Sequence, residues 1–104
     1  MNCSYLDSDY QSLEFHKLVA KKLRADPGLI DQALNNIRRW KKQNLFPQPY
    51  LDGWLDHIEK GMDHLLFFMV SETDEAQRMR SSSPFVGDNF VSQEERMEIR
   101  NKFR

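Results

Sequence analysis

Cysteine is nearly absent from this 104-residue chain. The single one, Cys3, can close no internal disulfide, so the fold must rest on packing, and a reducing, cytoplasmic setting is expected. Glycine is sparse too: the four, at positions 28, 53, 61 and 87, never cluster, which excludes a glycine-rich phosphate loop. Long hydrophobic runs are missing too. The longest, LLFFMV at 65–70, falls far short of the ~20 residues that cross a membrane, and the opening MNCSYLDSDY has neither the basic nor the apolar stretch of a signal peptide. No charge predominates: 15 Lys and Arg against 16 Asp and Glu leave a net −1, whereas a nucleic-acid-gripping surface is strongly basic. The balance hides an asymmetry, with eight basic and six acidic residues in 1–52 and seven and ten in 53–104.

What the chain does have is helical periodicity. From about Gln11, Phe15, Leu18, Val19 and Leu23 recur on one helix face, with Lys17, Lys21 and Arg24 on the other. ADPGLID ends this helix and starts the next, with Asp26 as N-cap and Pro27 in the first helical position. The second helix gathers Ile30, Ala33, Leu34, Ile37 and Trp40 on one side. NLFPQPY, with two prolines, makes an extended connection. A third helix sets Leu51, Trp54, Leu55, Ile58, Met62, Leu65, Leu66 and Met69 within an arc of roughly 120°, Gly61 kinking it without shifting its phase. Near its end Phe67, Phe68 and Val70 leave it apolar all round, the mark of a central helix or of one that meets another chain. SETDEAQRMR opens a short fourth helix that SSSP ends, and Ser92 with Glu95 forms a capping box for a last helix reaching Phe103. With no repeat and no alternating strand pattern, the expectation is a single all-α domain over 1–104. It would hold a bundle of about five helices, residues 1–10 loosely ordered and 81–92 a loop.

Sites for chemistry are few. His57 and His64 stand seven apart; two turns of one helix separate them by ~10 Å, too far to share a metal ion. His16 is isolated, and no H-E-x-x-H, C-x-x-C or G-x-S-x-G motif exists. Neither a cofactor nor a metal nor catalysis is expected; a small enzyme or metal protein is the least supported class. RRWKK carries the densest positive charge: on a helix Arg38, Arg39, Lys41 and Lys42 share one arc with Trp40 opposite. That arc would contact phosphates in a helical DNA-binding regulator. Read structurally, it is a solvated face opposite the acidic stripe Asp52, Asp56, Glu59 and Asp63, with exposed pairs contributing only ~0–1 kcal/mol each.

The stretch RMRSSSPFVGDNFVSQEER, 78–96, is the most distinctive. Four of the eight residues from Pro84 to Val91 are large and apolar, which a plain linker does not need. Either the loop covers its own bundle, the placement favoured for Phe85 and Val86, or it and the last helix dock onto a partner. In the second case Phe85, Phe90, Ile99 and Phe103 are the anchors and Arg78, Arg80 and Arg96 the polar rim, since aromatic and Arg residues dominate interfaces. Exposed residues within Leu65–Val70 would extend that surface.

SLEFHKLVAKKLRADPGLIDQALNNIRRW, a tryptophan-bearing helix and then RMRSSSPFVGDNFVSQEERMEI together resemble a family of small bacterial all-helical proteins. Its members show an L-x-x-H-K/R-L-V opening and an R-x-S-S-P-F-x-G…E-R-x-x-I ending, and the likeness runs from Leu13 to Phe103. Such proteins occur in toxin–antitoxin-type gene pairs, usually on the antitoxin side. The resemblance implies a cytoplasmic protein that binds and neutralises a protein partner, with no catalytic residue to carry over. A protein partner such as a toxin is therefore expected, ahead of a second copy of the chain and of nucleic acid, and no membrane.

Overall fold

The computed structural model describes residues 4–87 and 90–102, with side chains described from Tyr10 onward. Among these residues there are six α-helices, one 3-10 turn and no strand. α1 (Ser4–Ala25) runs into the 3-10 turn Pro27–Leu29 and α2 (Ile30–Gln43); α3 (Gln48–Glu59), α4 (Met62–Met69), α5 (Asp74–Arg80) and α6 (Gln93–Asn101) follow. α1 begins at Ser4 rather than near Gln11, since no glycine or proline lies between Ser4 and Asp26 to interrupt a helix. Asp26 precedes the 3-10 turn without a side-chain capping bond, and Pro27 opens that turn.

The expected third helix is two helices, and the reason is one backbone angle. Gly61 sits at φ 112°, where residues with a Cβ rarely go, and separates α3 from α4. α2 ends in the same economical way, on Asn44 in the left-handed conformation, its N–H reaching Lys41 O. The expected capping box is present in full: Glu95 N–H donates to Ser92 Oγ and Ser92 N–H donates to Glu95 Oε1. Thr73 caps α5 by accepting from Ala76 N–H.

The core is assembled from Val19 and Leu23 of α1, Ala33, Ile37 and Trp40 of α2, Leu51 and Trp54 of α3, and Leu65, Leu66, Phe68 and Met69 of α4. Leu65–Val70 is therefore core, except for Phe67, which is 75% exposed. Phe85, Phe90 and Val91 complete the same core from the C-terminal loop. Trp54 lies edge-on to Phe85 and Phe68, and Phe85 edge-on to Phe90, each at 5.4–5.6 Å between centroids. Trp54 Nε1 donates to Met79 O, which ties α3 to α5. At their crossing Gly53 leaves room for the Met79 side chain; a Cβ there would stand 2.8 Å from Met79 Cε.

Candidate functional site

Two polar joints hold the loop after α5 and a third fixes its root at Arg80, the last residue of α5, each with a buried partner. His16 Nδ1 faces the Ser12 carbonyl at 2.7 Å and so carries the proton; Nε2 accepts from Ser83 Oγ at 2.8 Å. Ser83 Oγ also accepts from Phe85 N–H. Asn36 Nδ2 donates to the carbonyls of Pro84 and Val86, while its Oδ1 accepts from Arg39 Nη2. Arg80, 5% exposed, directs Nη1 at the carbonyls of Met69 and Ser71. Those carbonyls lie at the C-terminal end of α4, where backbone acceptors lack helical partners and a cation is favoured.

The fastened loop forms one wall of a cleft of about 410 Å³. Phe15 of α1, Trp40 at the end of α2, Phe46 just after it, Val86 of the loop and Ile99 of α6 give it an apolar lining. Trp40 and Phe46 pack with centroids 4.9 Å apart. Arg80, Arg96 and Arg100 supply its charge and Ser12, Ser81 and Ser83 its hydroxyls. None of the described lining residues is acidic. α6 is set against α1 by Lys22–Glu95 at 2.5 Å and Lys102–Glu14 at 3.5 Å. The Lys22 bond, with Ser92 adding to it, holds the Glu95 carboxyl below its ordinary range, so this tie is charged at neutral pH.

The expected interface residues do not form one patch. Arg80, Arg96 and Ile99 meet in the cleft. Arg78 lines a different groove, with Tyr50, Glu75 and Met79. Phe85 and Phe90 are fully buried in the chain's own core and are not exposed anchors, and Ile99, 9% exposed, shows only an edge to the cleft. Arg80 is not a rim residue but a buried cap on α4. Of the two loop residues expected beneath the cover, Phe85 is inside and Val86 is 40% exposed, facing the cleft. Phe103 lies outside the described residues.

The basic face of α2 is partly engaged with its own molecule. Lys41 pairs with Asp52 of α3 at 2.5 Å, Arg38 bonds Asn35 and Arg39 bonds Asn36, while Lys42 is exposed. Asp56 pairs within α3's end with Lys60 instead of crossing to α2.

The two histidines expected to stand ~10 Å apart meet, because Gly61 folds α4 back on α3. His57 Nδ1 and His64 Nε2 are 2.8 Å apart, and the His57 ring stacks on Phe68 at 3.7 Å. His57 is buried rather than at the surface, and Glu75 Oε2 lies 3.6 Å from its Nε2. Burial, opposed by Glu75 and reinforced by His64 and Lys60, pushes the His57 imidazole below its ordinary pKa. Among the described residues, no group of three or more His, Cys, Asp or Glu side chains is arranged to hold a metal ion.

Ser83, His16 and the Ser12 carbonyl stand in the order of nucleophile, base and orienting group. Burial, with the Arg80 charge adding to it against the Ser12 bond, pushes the His16 imidazole down to about 4. A general base works best with a pKa near the working pH, so His16 is a poor one at neutrality. Its geometry makes a fixed joint between α1 and the loop.

Sequence pattern carried signals for the residues that periodicity had not singled out. Leu13, His16, Ala20 and Leu23 are spaced by three and four and are all buried, so His16 fills an apolar slot of α1. Asn36 does the same between Ala33, Ile37 and Trp40. A polar residue in such a slot needs a buried partner. No protein-family model matches this chain, and neither a curated protein nor a solved structure does.

Proposed function

We infer that the chain is a protein-binding module whose cleft between α1, the loop and α6 seats part of a partner, blocking that partner sterically. The observation that carries this reading is the cleft itself: an aromatic and aliphatic lining, arginines at its edge, and a loop wall braced at Ser83, Pro84 and Val86. A braced wall presents a preformed surface, which lowers the ordering cost of association. Aromatic side chains beside arginine are the composition of energetically dominant interface centres. The likeness of 13–103 to antitoxin-side proteins supplies the class of partner, a toxin held inactive while bound. The rival reading, operator binding through Arg38, Arg39, Lys41 and Lys42, has less support, since Lys41 is paired and two of the others bond their own helix.

Affinity capture from an extract of the source organism tests the proposal when run with surface variants in parallel. Wild type is expected to retain one protein in near-equal amount. Val86→Asp and Arg100→Glu are expected to lose it, while Phe67→Asp keeps it. Retention by both cleft variants would place the partner elsewhere and overturn the reading.

A further inference from the structure

We propose that the His57–His64 contact is a proton-operated latch between α3 and α4, closed while the pair holds no added proton or one, and released when both rings are charged. The proposal is independent of the cleft and of what binds there. Three features of geometry carry it. His57 Nδ1 and His64 Nε2 are 2.8 Å apart, a hydrogen-bond distance that requires a proton between them. The two ring planes differ by 11° and their centroids are 5.1 Å apart. That separation is the nitrogen gap plus the two ring radii, so the rings meet edge to edge and the nitrogens point at one another. Finally, this is the side-chain hydrogen bond that joins α3 to α4 among the described residues, and it spans the Gly61 elbow.

Glu75 of α5 sets the direction of the bond. Its Oε2 lies 3.6 Å from His57 Nε2, and a carboxylate attracts an N–H, so His57 carries its proton on Nε2. His57 Nδ1 then accepts from His64 Nε2–H. The neutral pair thus has one N–H in the gap. A first added proton leaves that number unchanged. It goes either to His64 Nδ1, which has no hydrogen bond among the described residues, or to His57 with the bond reversed. A second added proton sets an N–H on each side of a 2.8 Å gap, and the bond is lost.

The pair therefore titrates as a unit. The charges that bear on it are Lys60 at the end of α3, itself paired with Asp56, and Glu75 of α5. Burial and Lys60 resist the charging of His57, while Glu75 favours it and remains as partner to the imidazolium once His64 is released. The closed latch binds fewer protons than the open one, so falling pH favours opening.

The test is NMR on the full chain with 15N-labelled histidine, which reports the tautomer and charge of each ring. Amide exchange at residues 60–65, corrected for its intrinsic pH dependence, is followed on the same samples. Two steps separated by about one pH unit or more are expected. Exchange at the elbow should stay slow through the first and quicken by about tenfold per pH unit beyond the second. In His64→Gln the amide can donate to neutral His57 or turn its oxygen to accept from charged His57. That variant should titrate in one step and keep its elbow protected in acid, with His16 contributing equally to both proteins. Independent titration of the two rings, elbow exchange indifferent to the second step, or a His64→Gln protein with the wild-type acid response overturns the proposal.

Discussion

His16 lies among apolar neighbours on α1 with both ring nitrogens engaged, and that arrangement makes the fold sensitive to acid. Its folded pKa, about 4, is below the ordinary value of 6.5, so the unfolded chain binds the extra proton more readily. Stability from this group is complete above 6.5, falls as pH drops through the window from 6.5 to about 4, and is level below it. A shift of that size corresponds to about 3 kcal/mol. Urea unfolding between pH 7 and 4 should show a fall of that order, and His16→Phe should flatten it while lowering stability at pH 7 by stranding Ser83 Oγ. A His16→Phe protein with the wild-type pH slope would refute the assignment. Asn36 makes the companion prediction. Asn36→Ala removes the donor to both Pro84 O and Val86 O and should cost about 2–3 kcal/mol, read as a lower urea midpoint with unchanged slope. Both residues were readable in outline as polar groups in apolar helix slots. Their partners were not, since Ser83 and Pro84 are 67 and 48 positions away in sequence and only the packed fold brings them near.

Helix identity followed from local rules, and the departures have local causes as well. Periodicity placed the apolar faces of α1, α2 and α3 and the capping chemistry of α6, because side-chain spacing and N-terminal hydrogen bonds act within a few residues. It did not divide α3 from α4, because a glycine in a good apolar phase reads as continuous helix until its φ is known. Gly61→Ala meets no steric obstacle, yet it must hold a Cβ at φ 112°, so a loss of about 1–2 kcal/mol is expected. The same variant should weaken the His57–His64 contact, seen as altered imidazole shifts in NMR; unchanged stability would mean the elbow does not need the left-handed angle. Ser92→Ala removes one half of the α6 capping box and should cost about 1 kcal/mol, with faster amide exchange confined to the first turn of α6.

The molecule buries Phe85, Phe90, Val91 and Ile99 of its C-terminal third inside itself, while Val86 and Met97 stay exposed. The abundance of Phe and Val after position 84 suggested a surface needing a cover, but Phe85, Phe90 and Val91 are at most 1% exposed, and the loop is itself the cover over Trp54 and His16. A second copy is therefore not required to hide them, and light scattering on the pure protein should return the 12.4 kDa monomer. Among the apolar surfaces that remain for a partner are the cleft that this loop helps to build and the separately exposed Phe67. Hydrogen-exchange footprinting of the chain bound to its captured partner decides between them. Slowed exchange should appear in 11–16, in 81–86 and along α6, with α4 around Phe67 and the basic 38–42 segment unchanged. Protection centred on Phe67 or on Arg38–Lys42, with the α1–loop–α6 cleft exchanging as in the free protein, would contradict the account.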